Sequence, residues 1–348
     1  MKKYFYELMT DSRCGLLDKA MQGVLWVFSL VYGFLAELMR AMYQDRLLSV
    51  YRSPKAVVSV GNITTGGVGK TPLVIWLVKA LSQKGLKVVV LSRGYGASEG
   101  LNDETKMFKE ILPQVSIVTG KSRKKSIQKA LAEEQVDIFV ADDAFSHWPL
   151  ARDLDIVVID AANPFGNGYL IPRGILREKK ESIIRADILI LTKTEKVQNT
   201  RQLCQELRQI NSRALIVESK HVARCFRNIF TKETYDCSSF NGQQAFGFCA
   251  IGDPSSFEFT IQKTGLALVK GFTFMDHYQY TEEDLKQIID SAKAENISIL
   301  VTTHKDAVKL TFFKDLFKGL TVLSLDIELE ITQGQDEIIQ RIISLRRS

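Results

Sequence analysis

The stretch AVVSVGNITTGGVGKTPLVIWL, residues 56–77, decides the fold of this chain. Its first part, Ala56–Val60, is continuously apolar, which predicts a strand buried on both faces. Its last part begins a segment, Leu73–Lys84, in which apolar residues recur at the spacing of a helix. A glycine-rich loop that ends in Lys70-Thr71 joins the two. A glycine-rich loop between a strand and a helix predicts a phosphate-binding P-loop.

The chemistry of such a loop follows from its backbone. Glycines let several N–H groups turn toward phosphate oxygens, and the start of the following helix adds its positive dipole. Lys70 is expected to reach the β- and γ-phosphates, and the Thr71 hydroxyl to bind Mg²⁺. Thr64 stands where the plain P-loop pattern has glycine, but Gly66 and Gly67 supply extra freedom. The expected nucleotide-binding residues are Thr64, Thr65, Gly66, Gly67, Val68, Gly69, Lys70 and Thr71.

Further apolar runs alternate with amphipathic stretches along the chain. Strands are expected at 87–91, 138–141, 155–159 and 187–191, and a helix over 126–134. Strands separated by helices indicate an α/β fold with a doubly wound, mostly parallel sheet. The strand at 138–141 ends in Asp142-Asp143, a pattern similar to Walker B. Either carboxylate can hold Mg²⁺ beside a P-loop, and the pattern leaves open which is the direct ligand.

A second, smaller α/β domain is expected after residue 214. Strands are predicted at 245–251, 268–274 and 297–302, and a loop or hairpin over 231–244. A helix over Thr281–Ala294 has Thr281 as its N-cap and Asp284 at position N3. The last helix is expected at 333–346. The predicted organisation is a helical membrane-associated segment (1–50), a P-loop kinase domain (51–214) and a smaller domain (215–348).

The N-terminal run Met21–Ala36 is apolar and uncharged. It is shorter than the roughly 20 residues that span a bilayer. Two interpretations remain open: a buried core helix, or a helix in the membrane interface. Basic residues flank the run on both sides, which favours the interface. They are Lys19, Arg40, Arg46 and Arg52.

The composition limits the classes of function. Hydrophobic residues make up 45% and charged residues 25%, so the chain is expected to fold as a globular protein. The net charge of +6 suits anionic partners, whether phosphates, nucleic acid or an anionic membrane surface, and does not choose among them. Aromatic and basic residues are not interleaved in the sequence as is typical of nucleic-acid binding, so that function is not indicated. The five cysteines show no disulfide or zinc pattern, which favours a reducing, cytosolic setting.

Several further stretches, in this order, resemble one known family, the tetraacyldisaccharide 4′-kinases. The resemblance extends from about residue 59 to residue 310. The stretches are VGNITTGGVGKTPLVIWL, LSRGYG, DDAFSH, LARDLDIVVIDA, FGNGYLIPRGILRE, FCAIGDP, FMDHYQY and TTHKDAVKL.

The resemblance implies a reaction and a location. The γ-phosphate of ATP would pass to the 4′-hydroxyl of an acylated glucosamine disaccharide 1-phosphate, a step of lipid A biosynthesis that forms lipid IVA. The enzyme would be peripheral, at the cytoplasmic face of the bacterial inner membrane, with its N-terminal helix at the bilayer. Its cofactors would be ATP and Mg²⁺.

The resemblance also implies roles for individual residues. Asp103 and His277 match the pair that activates the sugar hydroxyl, and Lys70 completes the catalytic set. Asp142 and Asp143 match the Mg²⁺ site, together with Thr71. The positions that match motifs facing the substrate are Ser92, Arg93, His147, Arg177 and Glu178.

The chain departs from the family pattern at a few positions. Ala144 and Ser146 stand where the family usually has Gly and Gln. The main alternative function is a membrane-bound P-loop ATPase or GTPase switch of the partitioning type. That class carries a Lys before the Gly-Gly pair, where this chain has Thr65.

Overall fold

The computed structural model describes residues 2–93, 103–276 and 278–346. These residues form twelve strands. Numbered along the chain, the strands are β1 (Ala56–Gly61), β2 (Val88–Ser92), β3 (Ser116–Thr119), β4 (Ile138–Asp142), β5 (Leu154–Asp160), β6 (Ile188–Thr192), β7 (Leu215–Asn228), β8 (Thr234–Asp236), β9 (Gln244–Cys249), β10 (Ala267–Thr273), β11 (Ile299–Thr303) and β12 (Thr321–Ile331).

Helices fill most of the connections between strands. The α-helices are α1 (Lys2–Met9), α2 (Leu16–Gln44), α3 (Lys70–Gln83), α4 (Asp103–Ile111), α5 (Arg123–Glu133), α6 (Arg201–Ile210), α7 (Pro254–Lys263), α8 (Glu282–Ala294), α9 (His304–Leu310) and α10 (Gln335–Ile343). Short 3₁₀ helices cover Lys180–Arg185, Thr194–Lys196, Cys237–Phe240 and Thr311–Phe317.

The chain divides into two compact units. Of the described residues, the first unit holds 2–93, 114–220 and 331–346, and the second holds 103–113 and 221–330. These ranges differ from the contiguous division at 214/215 expected from the sequence. The difference arises because α10 packs near α3 and because α4 packs against α9. The assignment of separate roles to the predicted domains stays a prediction.

The first unit is built on a parallel sheet with the strand order β3-β2-β4-β1-β5-β6-β7. Its central strands are buried along nearly their whole length, as their continuous Val/Ile runs predicted. The doubly wound, mostly parallel fold is therefore confirmed. In this sheet Val60 of β1 stands opposite Asp142 of β4. Asp142 thus lies at the carboxyl edge of the sheet where the glycine-rich loop begins, the edge at which such folds bind ligands.

The helix after the glycine-rich loop anchors that loop to the core. Apolar side chains of α3 are buried, among them Leu73, Leu77 and Leu81. Burial of each such side chain contributes roughly 1.5–3 kcal/mol. The start of α3 at Lys70 is therefore fixed by the core beneath it.

The N-terminal helix α2 is mostly exposed. Within its 29 residues, only Leu25, Ser29 and Gly33 are buried. The alternative of a core helix over Met21–Ala36 is therefore wrong. By length and composition α2 is sufficient to cross a membrane. A Cβ at Gly33 would lie 2.7 Å from Leu170, so this glycine permits a close approach to the first unit.

The second unit has its own sheet and core. Its strand order is β10-β9-β11-β12-β7, and β8 pairs with β7 as an antiparallel hairpin. Helix α8 begins as predicted, with Thr281 and Asp284 forming a capping box. β7 and β12 were not predicted, because polar residues alternate along much of each strand and weaken the apolar signal.

Candidate active site

The glycine-rich loop adopts backbone conformations that its glycines make possible. Gly66 and Gly69 have φ angles of 105° and 90°, in the left-handed region that favours glycine. Gly61 is required for a different reason, because a Cβ there would lie 2.5 Å from the Cβ of Phe145. The loop therefore turns tightly between β1 and α3, and it presents Lys70 and Thr71 in the first turn of the helix.

Two cations converge on one carboxylate beside this loop. The Nζ of Lys70 lies 3.5 Å from Asp143 Oδ1. Arg177 donates to both oxygens of the same carboxylate, at 3.0 and 2.9 Å. Arg177 is far away in sequence, but its backbone N–H donates to Ile63 O at 2.7 Å, which places the segment GILRE against the loop. The structure thus brings together Lys70, Asp143 and Arg177, three of the predicted site residues.

Asn62 joins the same cluster, although no local pattern in the sequence predicted a role for it. Its Oδ1 accepts hydrogen bonds from Lys70 (2.9 Å) and from Arg177. Its Nδ2 donates to the carbonyl oxygen of Thr64 at 2.7 Å. Asn62 is fully buried, so its amide holds both cations and the turn of the loop. The only signal in the sequence was its position directly after the strand and Gly61.

The pKa of Asp143 reflects its neighbours. Burial alone would raise it, but the hydrogen bonds from Arg177 and the charge of Lys70 lower it well below its usual range. Asp143 also has a positive φ of 51°. The carboxylate therefore stays ionised at any physiological pH and can act as an acceptor or a cation ligand.

Asp142 occupies the more buried position of the acidic pair. It is 5% exposed at the end of β4, and Arg123 donates to its backbone carbonyl at 2.8 Å. Thr71, Asp142 and Asp143 together offer hydroxyl and carboxylate oxygens at the mouth of the loop, the donor type that Mg²⁺ prefers. The donor set of this site therefore fits Mg²⁺.

The predicted substrate-facing residues lie near the same edge of the sheet. Ser92 is buried at the end of β2, and Arg93 follows it and is exposed. Burial lowers the pKa of His147 to about 4, and the charges of Arg123, Arg93 and Arg152 contribute to the same shift. His147 is therefore neutral at pH 7 and available as a neutral hydrogen-bonding group.

Glu178 is held by two groups. Its Oε1 accepts a hydrogen bond from Ser146, and its Oε2 accepts one from Arg185 at 2.7 Å. Thr192 makes another contact that the sequence did not predict, donating to the carbonyl of Val68 in the glycine-rich loop at 2.7 Å. Arg185 belongs to no pattern that would identify it in the sequence.

Two predicted catalytic residues remain, Asp103 and His277. His277 lies outside the described residues, and so does the side chain of Asp103, whose backbone begins α4. Their pairing stays a prediction.

The parallel sheet, the glycine-rich loop and the Lys70–Asp143–Arg177 cluster define a P-loop phosphotransferase. Comparison with known proteins gives the particular family. The family described as tetraacyldisaccharide-1-P 4′-kinase matches residues 21–344, and the chain belongs to this family. It is a kinase that phosphorylates the lipid A precursor at the 4′ position.

Individual relatives agree over nearly the whole chain. The tetraacyldisaccharide 4′-kinase of Halothermothrix orenii is 32% identical over 98% of both chains. That of Bdellovibrio bacteriovorus is 31% identical over 93% of this chain and 100% of its own. The crystal structure of an "apo" form LpxK from Aquifex aeolicus in complex with ATP has 25% identity and a TM-score of 0.73, and the match covers 94% of this chain and 100% of that one.

Proposed function

We propose that the chain transfers the γ-phosphate of ATP to the 4′-hydroxyl of tetraacyldisaccharide 1-phosphate, with Mg²⁺, at the cytoplasmic face of the bacterial inner membrane. The observation that carries the proposal is the convergence of Lys70 and Arg177 on Asp143 beside the glycine-rich loop. Two fixed cations at this place can neutralise the charge that spreads over a phosphoryl group in transfer.

The nucleotide binds through the loop. The backbone N–H groups of residues 64–71 surround the phosphates, and Lys70 contacts the β- and γ-phosphates. Arg177 reaches the transferred phosphoryl group from the opposite segment of the site, because Asn62 holds both cations side by side. Binding of ATP exchanges part of their contact with Asp143 for contact with phosphate.

Thr71, Asp142 and Asp143 would hold the magnesium ion. A bound Mg²⁺ would neutralise charge on the phosphates. The low pKa of Asp143 suits this role, since the carboxylate needs no proton removed before it binds a cation.

Asp103 and His277 activate the acceptor. Asp103 takes the proton of the 4′-hydroxyl as the oxygen forms its bond to the γ-phosphorus, and His277 orients the carboxylate. The bond between the γ-phosphorus and the bridging oxygen breaks, and ADP leaves with that oxygen. Ser92, Arg93, His147 and Glu178 contact the sugar or its 1-phosphate, where an arginine suits phosphate and a neutral imidazole suits a hydroxyl.

Helix α2 is proposed to lie in the membrane interface as a peripheral anchor. Large apolar side chains along it are exposed, among them Trp26, Phe28 and Phe34. An apolar surface of this kind on a single helix marks a membrane or protein contact. Basic residues at both ends of the helix suit an anionic bilayer surface.

The first test is transfer of label from γ-labelled ATP to tetraacyldisaccharide 1-phosphate in detergent micelles with Mg²⁺. The expected result is a labelled bisphosphorylated lipid, lost on removal of Mg²⁺ and in a Lys70→Ala variant. Label released as inorganic phosphate, with none on the lipid, would support the nucleotide-switch alternative instead.

The membrane role has a matched control within the chain. Phe28→Ser with Phe34→Ser should weaken co-sedimentation with anionic vesicles, because both side chains lie on the exposed face of α2. Phe312→Ser removes an equally large and still more exposed ring, 88% exposed, from the second unit. Equal vesicle binding by both variants would argue against α2 as the anchor.

A further inference from the structure

Arg185 is a largely buried cation near the site, and the proposed mechanism leaves it without a role. It ends the 3₁₀ helix Lys180–Arg185, and its side chain is 15% exposed. Its Nη2 donates to Glu178 Oε2 at 2.7 Å. Glu178 directly follows Arg177, which contacts both Asp143 and Asn62. Arg185 is therefore linked to the cluster beside the loop through one residue, Glu178.

Two aromatic rings fix the guanidinium of Arg185. Its central carbon lies 4.4 Å from the ring centroid of Phe145 and 4.5 Å from that of Trp148. A planar guanidinium stacks on aromatic rings in a way that a lysine ammonium does not. Both rings belong to the segment that follows Asp142-Asp143, so Arg185 links this acidic segment to Glu178.

The hydrogen bonds around Arg185 favour a role directed at Glu178. Among the described residues, its Nε and Nη1 are buried and have no hydrogen-bond partner. A desolvated guanidinium with two unmet donors is costly for stability alone. Its hydrogen bond goes to Glu178, whose other oxygen accepts from Ser146. Both oxygens of this carboxylate are thus held in one orientation.

We propose that Arg185 is a positioning residue that holds Glu178 toward the acceptor substrate, with Phe145 and Trp148 fixing the guanidinium plane. The inference rests on the proposed substrate contact of Glu178. Arg185 itself touches neither nucleotide nor acceptor in this scheme. Its effect passes through Glu178, and this makes the inference testable apart from a general loss of structure.

The test is a double-mutant cycle on the lipid kinase reaction. Arg185→Lys keeps the charge but loses the stacking and the planar geometry, and it should lower kcat for the lipid about 10- to 100-fold. The KM for ATP should stay within about twofold, because the glycine-rich loop is untouched. In a Glu178→Gln background, Arg185→Lys should cause little further loss.

Ser146→Ala provides a milder variant that preserves the stacked guanidinium. It should lower kcat less than Arg185→Lys, and its effect should also disappear in the Glu178→Gln background. Arg152→Lys is the matched control, since Arg152 lies 5.8 Å from the same Trp148 ring but pairs with Asp155. Its effect should be the same in both backgrounds.

Two outcomes overturn the inference, and only the second also overturns the proposed substrate contact of Glu178. If the losses from Arg185→Lys and Glu178→Gln multiply, Arg185 acts on structure in general and the inference fails alone. If Glu178→Gln keeps full kcat and KM, the substrate role of Glu178 fails together with the inference.

Discussion

Each of the two units has a lysine and an aspartate paired beside a helix that follows a parallel strand, but the two pairs differ in burial. In the first unit Lys70 and Asp143 are 20% and 37% exposed, and they lie 3.5 Å apart. In the second unit Lys309 and Asp306 are 3% and 0% exposed, and they lie 2.9 Å apart. Similar chemistry therefore occurs in a partly open site and in a closed core.

Hydrogen bonds surround the buried pair Asp306–Lys309. Asp306 accepts hydrogen bonds from Lys309, from the Thr303 hydroxyl at 2.8 Å and from the Ala250 backbone at 2.9 Å. Lys309 also donates to the carbonyl of Tyr278 at 3.1 Å. A buried ion pair of this kind persists only when such hydrogen bonds satisfy both partners.

The open cluster has a different character. Lys70 and Arg177 share Asp143 and the side chain of Asn62, and all the charged groups reach solvent in part. Because these groups are partly exposed, a ligand can reach them, whereas the Asp306 carboxylate is closed off from solvent. The difference teaches that burial, more than residue type, separates an accessible ion cluster from a structural one.

Lys70→Ala should produce the largest functional effect. Removal of the cation beside the transferred phosphoryl group should lower kcat/KM by about 1,000-fold or more, with little change in the thermal unfolding midpoint. Lys84→Ala, at the other end of α3, is the control and should retain activity. If Lys70→Ala also lowered the thermal unfolding midpoint strongly, Lys70 would be a structural residue like Lys309, and the comparison would fail.

Lys309→Met should act on stability instead. It leaves the Asp306 carboxylate buried without its cation, which should reduce the free energy of unfolding by roughly 3–5 kcal/mol in a denaturant titration. Lys286→Met breaks an exposed ion pair with Glu282 in the same unit and should leave the free energy of unfolding almost unchanged. Similar losses for the two variants would contradict the buried role of Lys309.

Asn62→Ala should have an intermediate effect. Without the amide, Lys70 and Arg177 lose their common acceptor, so kcat/KM for ATP should fall about 10- to 100-fold. The lost bond to Thr64 should also reduce stability by about 1 kcal/mol. Steady-state kinetics with varied ATP measures the first effect, and unchanged kinetics would show that the cations keep their places without Asn62.

His304 gives the smallest effect, and one that depends on pH. It lies in the second unit between Asp326 on β12 (3.0 Å) and Glu110 on α4 (3.3 Å), with Arg227 beside Asp326 and Lys232 beside Glu110. Burial would lower its pKa, but the hydrogen bonds to Asp326 and Glu110 raise it to about 9.

Because the folded pKa of His304 exceeds its usual value of 6.5, the stabilisation is fully present below about pH 6.5. It is lost as the pH rises through about 9. Compared with His304→Gln, the protein should be more stable by about 2 kcal/mol at pH 6, and the gap should narrow toward pH 9.5. Urea titrations across this range measure the gap, and a constant difference would contradict a charged His304.

Much of the first unit could be predicted from local patterns. The strands at β1, β4, β5 and β6 are short apolar runs, and the glycine-rich loop before Lys70 is a local motif. The buried face of α3 and the capping box of α8 are equally local. By contrast, β7 and β12 carry alternating polar residues, so these two strands gave weak signals.

The sequence by itself determined the P-loop, the acidic end of β4 and the family, because each depends on residues that are adjacent in the chain. Only the tertiary structure decided that Arg177 meets Asp143, that Asn62 holds two cations and that Arg185 holds Glu178. It also decided that the apolar helix α2 stays exposed while the apolar α3 is buried. These outcomes depend on packing between distant segments, and the free energy of such contacts has no signature in local periodicity.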